Sequence, residues 1–96
     1  MLVVVSYDVS TKDSVGAKRL RRVCKACVDF GQRVQNSVFE CNLDPEQWTR
    51  LKLRLLDEFD PEMDSLRFYF LGANFQNRIE LHGATAVVDL QGPLLV

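Results

Sequence analysis

The sequence predicts an α+β fold in which two helices cover one face of an antiparallel sheet. Three observations carry this prediction. Residues 2–8 form an apolar run rich in β-branched side chains, which is typical of a central strand. Two later segments repeat apolar residues at three- and four-residue steps, as amphipathic helices do. Shorter segments with alternating apolar residues separate and follow those helices.

Length and composition favour one globular domain over residues 1–96. A chain of 96 residues that is 47% hydrophobic and 26% charged can bury a single core, which excludes a disordered protein. No apolar run approaches the roughly 20 residues that cross a bilayer, so no membrane contact is predicted. The N-terminal apolar run has no basic leader, unlike a secretory signal. Three cysteines are too few for a disulfide framework, which favours the reducing cytoplasm.

The first strand is predicted to end with Tyr7 and Asp8, and no turn residue precedes the Asp8 carboxylate. One interpretation of Asp8 is a loop cap, because aspartate often accepts hydrogen bonds from nearby backbone amides. The other is a ligand for a hard cation such as Mg²⁺. No second acid lies near it in the strand, so the metal interpretation needs a two-fold axis that pairs two copies of Asp8.

The first helix is predicted over residues 15–30, with Asp13 or Ser14 as its N-cap and Gly31 as its stop. Its apolar residues form a buried face, whereas residues 18–25 carry five bases and no acid. Such a run lacks the charge alternation of a salt-bridged helix, which favours phosphate contacts over a merely solvated face. The basic residues, with Arg33 as an extension at the next strand, are Lys18, Arg19, Arg21, Arg22 and Lys25.

The net charge of −1 hides an uneven distribution of charge along the chain. Residues 1–33 carry seven bases and three acids, whereas residues 34–96 carry five bases and ten acids. A nearly neutral chain that is polarised in this way can still present a basic surface to a polyanion.

The second half of the chain supplies three strands and the second helix. Residues 33–43 predict two consecutive strands joined near Asn36, and residues 65–71 predict the last strand of the sheet. Between them, Asp44, Pro45 and Gln47 predict a helix start with a capping box. The helix is expected to end before Pro61, and the acids of residues 57–64 are interpreted as a solvated helix end and turn.

The resulting βαββαβ order is that of a ferredoxin-like fold with the first and third strands central, over about residues 1–72. This fold leaves one sheet face uncovered, although the first strand is apolar on both sides. Because large apolar faces are rare on monomers, we predict a homodimer that packs sheet against sheet. Extra C-terminal strands are predicted at residues 78–82 and 86–90, and the apolar tail to residue 96 is expected to pair with a sheet edge of its own chain or its partner.

Cys24 and Cys27 have the spacing of half a zinc or redox motif, but they lie inside a helix rather than at its N-terminus. Core packing is therefore the favoured interpretation of the cysteines. The single histidine, His82, is given no catalytic role. No glycine-rich phosphate loop is present, which argues against nucleoside triphosphate chemistry.

Residues 6–9 at the end of the first strand, the basic first helix and residues 33–40 together resemble CRISPR-associated protein two, the small subunit of the spacer-acquisition machinery. The resemblance covers essentially the whole chain. It implies a homodimeric endonuclease that depends on Mg²⁺, or another divalent ion such as Mn²⁺, and acts on single-stranded RNA or double-stranded DNA. It also implies a complex with the CRISPR integrase subunit.

The same resemblance implies roles for individual residues. Asp8 would be the metal ligand, one from each protomer, and would act in catalysis together with Tyr7. Activity or substrate contact in relatives is also tied to the residues that match Arg19, Arg21, Arg33 and Phe39.

Three functional hypotheses follow. The leading one is a metal-dependent nuclease of CRISPR adaptation, in antiviral defence. The second is a non-catalytic DNA-binding scaffold that bridges integrase subunits during spacer integration. The third is a regulatory domain that binds a metabolite between dimer sheets, although such a site would not need the basic helix.

Overall fold

The computed structural model describes residues 1–9 and 14–83 of the chain. Its elements follow the predicted order, with a short 3-10 helix, Phe75–Arg78, after the last strand. Neither α-helix within the described ranges has the length and apolar content that a membrane crossing needs. The elements are β1 (Leu2–Asp8), α1 (Ser14–Phe30), β2 (Gln32–Gln35), β3 (Val38–Asn42), α2 (Pro45–Glu58) and β4 (Ser65–Gly72).

The four strands form one sheet in the order β2-β3-β1-β4. Each neighbouring pair runs antiparallel, and β1 pairs with both β3 and β4. This is the predicted ferredoxin-like topology with the first and third strands central. The α+β prediction is therefore confirmed, and the apolar run that opens the chain is a central strand.

The core lies between the sheet and the two helices. Alternate β1 residues Val3, Val5 and Tyr7 are buried toward the helices. The three cysteines belong to the same core as free thiols, which confirms their packing role. Burial raises the pKa of Cys41 to about 12, so this thiol stays neutral at ordinary pH. The three cysteines are Cys24, Cys27 and Cys41, and the remaining core residues are Val23, Ala26, Phe39, Leu43, Leu51 and Leu55.

A capping box starts α2, as predicted. The Asp44 carboxylate accepts a hydrogen bond from the Gln47 backbone N–H at 2.7 Å, and the Gln47 side chain accepts one from the Asp44 N–H at 3.0 Å. Trp48, one turn into the helix, then contacts Phe68 and Phe70 edge-on, with ring centroids 4.8 and 5.2 Å apart. These contacts fix α2 against β4 and show that Phe68 and Phe70 lie on the face of β4 that points toward the helices.

The outer sheet face is less apolar than predicted. Val4 on this face is half-buried, but the next outward position in β1 is Ser6 and the one after it is Asp8. The prediction that β1 is apolar on both sides therefore holds only for its first half, because side chains alternate along the strand. The cross-strand neighbours on this face are Glu40 and Tyr69 beside Val4, and Val38 and Arg67 beside Ser6.

The predicted strand over residues 78–82 does not pair with the sheet of its own chain, and its pairing with a partner's sheet edge stays a prediction. Gly72, with a φ of 76°, turns the backbone away at the end of β4, and the buried Phe75 anchors the 3-10 helix. Within the described part of the tail, residues 79–83 carry no strand. The predicted strand at 86–90 and the apolar tail lie outside the described residues.

Gly31 ends α1 as predicted, but not through the positive φ of a typical glycine stop. A Cβ at this position would lie against the Glu40 carbonyl oxygen and 2.8 Å from Cys41 Cα, both in β3. The glycine is needed because the helix end and β3 approach closely.

We expect Gly31→Ala to lower the free energy of unfolding by about 2–3 kcal/mol, because two backbone atoms of β3 would have to move. Chemical denaturation measures the loss. Gly72→Ala is the comparison, since a Cβ there meets open space and strains only its positive φ, at a cost of about 1 kcal/mol. Equal losses in the two variants would contradict the close-approach argument.

Candidate functional site

Asp8 lies exposed at the end of β1, opposite Ser65 at the start of β4. It opens onto a cavity of about 360 Å³, which also receives residues from the turn before β4. The lining residues are Asp8, Val9, Glu62, Met63, Asp64 and Ser65. The structure thus presents the Asp8 carboxylate to solvent beside a concave surface, which is what a ligand-binding carboxylate requires.

Tyr7 and Asp8 are neighbours in sequence but serve opposite faces of the sheet. Tyr7 is 1% exposed and points toward the helices, whereas Asp8 is exposed. The Tyr7 hydroxyl donates a hydrogen bond to the Asp64 carboxylate. This contact makes Tyr7 a positioning residue beneath the end of β1, and a direct catalytic role for Tyr7 stays a prediction.

Asp64 is the centre of a buried polar network behind the Asp8 cavity. Its side chain is fully buried and receives both arms of Arg19, with Nε 2.9 Å from Oδ2 and Nη2 3.1 Å from Oδ1. The backbone N–H of Asp60 donates to the same carboxylate at 3.0 Å. The network therefore ties α1, the end of β1 and the turn before β4 to one carboxylate.

The hydrogen bonds of this network decide its protonation. Burial alone would raise the pKa of Asp64, but the hydrogen bonds from Arg19, Tyr7 and the Asp60 backbone outweigh it and lower the pKa to about 2. For Tyr7, burial and the hydrogen bond to Asp64 raise the pKa above its ordinary value. At neutral pH the network therefore holds an ionised Asp64, a neutral Tyr7 and a charged Arg19.

Asp64 is the buried residue of the candidate site that the sequence prediction missed. The acids of residues 57–64 were expected to be solvated, which is wrong for Asp64. Two features of the sequence point toward the site, namely a turn at Asp60 and Pro61 and a strand that starts directly after Asp64. Neither reveals the partners, because Tyr7 and Arg19 are 57 and 45 residues away in the chain.

The predicted basic stripe lines a groove between α1 and α2 with a volume of about 440 Å³. Four of the predicted bases meet there, joined by two residues of α2 that the sequence prediction did not include. The lining residues are Lys18, Arg21, Arg22, Lys25, Arg54 and Glu58. The groove and the Asp8 cavity share no lining residue.

The other predicted contact residues lie outside this groove. Arg19 is 14% exposed and bound to Asp64, so its guanidinium is engaged within the fold. Arg33 is exposed on β2 and lies over the Phe39 ring, 5.6 Å from its centroid. Phe39 is itself fully buried, which gives it a supporting position under Arg33. Their predicted roles in substrate contact stay predictions.

The carboxylate oxygens at the Asp8 cavity suit a hard divalent cation, because Mg²⁺ and Mn²⁺ prefer such oxygen ligands. Within residues 1–9 and 14–83, however, no group of three or more histidine, cysteine or acidic residues comes together to hold a metal ion. One chain therefore offers an exposed carboxylate but only part of a ligand set.

Comparisons with known proteins agree on one family. A family model described as "CRISPR associated protein Cas2" matches residues 1–79. A relative from Chlorobaculum tepidum, named a CRISPR-associated endoribonuclease Cas2, is 57% identical over the full length of both chains. A relative from Halalkalibacterium halodurans, named a CRISPR-associated endonuclease Cas2, is 54% identical over 99% of each chain.

A solved structure shows the same likeness in three dimensions. The crystal structure of Streptococcus pyogenes Cas2 at pH 6.5 matches with a TM-score of 0.77 and 54% sequence identity. The match covers 86% of this chain and 100% of the other. Sequence and fold thus identify the same set of relatives.

Proposed function

This chain belongs to the CRISPR-associated protein Cas2 family, and from this premise we propose that it is a metal-dependent endonuclease of CRISPR adaptation. The observation that carries the proposal is the exposed Asp8, presented at a cavity by a strand end that the buried Asp64 network fixes. Two relatives named for endoribonuclease and endonuclease activity support the reaction class. The substrates are single-stranded RNA or double-stranded DNA.

Asp8 would hold a divalent ion, Mg²⁺ or Mn²⁺, through its carboxylate oxygens. When bound, the ion supplies Lewis-acid chemistry and lowers the pKa of a coordinated water. The Asp64 network keeps the end of β1 in place, so that Asp8 is oriented before any substrate arrives. Basic residues of the α1–α2 groove bind the phosphate backbone.

A homodimer completes the site, because one described chain brings no further metal-binding cluster to Asp8. The exposed outer side of β4 and the uncovered sheet face offer surfaces for a second copy. A two-fold axis near the end of β1 brings together two copies of Asp8, each supplying one carboxylate. The three buried free cysteines suit a reducing compartment, so we place this dimer in the cytoplasm.

The second candidate function is a non-catalytic scaffold that holds DNA and bridges integrase subunits during spacer acquisition. One observation favours it, namely that the basic groove and the Asp8 cavity share no lining residue. Nucleic acid can therefore be held without Asp8. The two functions differ in whether spacer acquisition needs the Asp8 carboxylate.

Metal removal tests the proposed activity. We expect EDTA to abolish cleavage of both single-stranded RNA and duplex DNA, and added Mg²⁺ or Mn²⁺ to restore it. Binding of the same probes should persist in EDTA, because the groove bases need no metal ion. Cleavage that continues in EDTA would overturn metal dependence, and retained binding shows that the chain is still folded.

A further inference from the structure

Asp29 is an acidic residue held between two cations of different helices. It lies in the last turn of α1, where its carboxylate accepts hydrogen bonds from Lys25 Nζ at 2.6 Å and from Arg54 Nη1 at 2.9 Å. Both cations line the α1–α2 groove, and Arg54 belongs to α2. One oxyanion is thus bound by two donors that converge from opposite walls.

The position of Asp29 is electrostatically unfavourable for the helix itself. The C-terminal end of a helix carries a partial negative charge, which an acid in the last turn opposes. No basic residue in that last turn offsets it. Hydrogen bonds from Lys25 and Arg54 lower the pKa of Asp29, so it is ionised at neutral pH. The helix end disfavours the negative charge of Asp29, whereas the ion pairs with Lys25 and Arg54 stabilise it.

The rest of the groove repeats this pattern more loosely. Glu58 Oε2 lies 3.9 Å from Arg22 Nη1 in the same groove. Lys18 and Arg21 are exposed and make no ion pair with the residues that the structure describes. The groove therefore contains cations that are already bound to carboxylates beside cations that are open to an external anion.

We propose that the α1–α2 groove binds a phosphodiester backbone, that Arg54 is one of its contact residues, and that the Asp29 carboxylate occupies the place of a phosphate group. This inference rests on the proposed nucleic-acid function and extends its contact surface from α1 to α2. Binding of the backbone displaces Asp29 from Lys25 and Arg54, so Asp29 limits affinity from within the chain.

The length of the groove fits a polymer better than a single anion. Along α1, Lys18 and Lys25 are separated by about 10 Å at 1.5 Å per residue. Along the axis of a duplex one strand advances about 3.4 Å per phosphate, so a groove parallel to that axis spans about three steps from phosphate to phosphate. A lone phosphate would use Lys25 and Arg54 and leave Lys18 and Arg21 without a ligand.

The test is binding of a labelled DNA duplex, and of a labelled single-stranded RNA of equal length, across a salt series in EDTA. Arg54→Gln should weaken binding about two- to fivefold. It should also reduce the slope of log affinity against log salt by about 0.9 for duplex DNA. Asp29→Asn should tighten binding about two- to fivefold. Misfolding cannot produce this gain, because an unfolded chain loses the groove.

Matched charge changes outside the groove are the controls. Lys52→Gln and Asp57→Asn alter exposed residues of α2 that do not line the groove. Equal binding by Asp29→Asn and Asp57→Asn, or by Arg54→Gln and Lys52→Gln, would overturn the inference. A response that exceeds its control with either probe supports phosphodiester binding, and the responding probe identifies the polymer.

Charge reversal of Arg21 and Arg22 separates this inference from the function on which it rests. If that reversal weakens binding while Arg54→Gln matches Lys52→Gln, the proposed nucleic-acid contact through α1 survives and the extension to α2 fails. If reversal also changes nothing, the groove binds no backbone, and the nucleic-acid part of the proposed function fails with it.

Discussion

Asp8→Asn should reduce metal-dependent cleavage at least about a hundredfold, because the amide loses the charge that holds a hard divalent ion. The side chain is exposed, so the fold should tolerate the change. Cleavage of single-stranded RNA and duplex DNA measures the effect, with sedimentation to show that the oligomeric state is retained. Probe binding should be unchanged, since Asp8 does not line the basic groove.

Asp57→Asn, an equal change at an exposed acid of α2, is the matched control and should leave cleavage intact. Cleavage by Asp8→Asn at the rate of this control would mean that Asp8 is not the metal ligand. Spacer acquisition has to be measured separately. Acquisition that continues without cleavage would favour the scaffold function, whereas loss of both would support a biological role for the nuclease.

Asp64→Ala is expected to lower the free energy of unfolding by about 3 kcal/mol, because it leaves a guanidinium and a phenol without their buried partner. Asp64→Asn keeps the shape and an acceptor oxygen and should cost less. Cleavage should also fall in both variants although Asp8 is intact, because the turn before β4 and the end of β1 both line the Asp8 cavity. Denaturant unfolding and the two cleavage assays measure these effects.

The pH dependence of the free energy of unfolding tests whether the ionised Asp64 carboxylate is the source of this stability. The pKa of Asp64 is about 2 in the fold, against an ordinary value of 3.8. A lowered acid pKa gives stability that is complete above the unfolded-state value and is lost as the pH falls toward 2. That difference corresponds to about 2 kcal/mol.

Between pH 5 and pH 2 the unmodified chain should therefore lose about 2 kcal/mol more stability than Asp64→Asn, which has no carboxylate to protonate at this position. Asp57→Asn should follow the unmodified chain, because Asp57 is exposed. Parallel curves for the unmodified chain and Asp64→Asn would show that the network does not depend on the charge of Asp64.

Local chemistry explains why the elements themselves could be predicted. The capping box of Asp44 and Gln47 acts within four residues, and the apolar periodicity of α1 and α2 reflects only their own geometry. The basic groove was partly predictable for the same reason. Lys18, Arg21, Arg22 and Lys25 follow helical spacing, whereas Arg54 and Glu58 reach the groove only through the packing of α2 against α1.

Helical phase also separates Arg19 from the groove residues. Arg19 follows Lys18 by one residue and therefore points away from the groove, where its guanidinium binds the Asp64 carboxylate. Strand alternation places Phe39 in the core and leaves Arg33 above it exposed, so the predicted role of Phe39 in substrate contact stays a prediction. Charge and residue type predicted that these side chains matter, but not which neighbours they contact.

By itself, the sequence determined the α+β order, the central position of β1, the resemblance to a family and the prominence of Asp8 at the end of its strand. These properties depend on short-range periodicity and turn chemistry, which neighbouring residues encode. Only the tertiary structure decided that Tyr7, rather than Asp8, points toward the helices and that Asp64 fixes the strand end beside them. Those contacts join residues far apart in the chain, so they exist only once β4 has paired with β1 and α1 has packed over both.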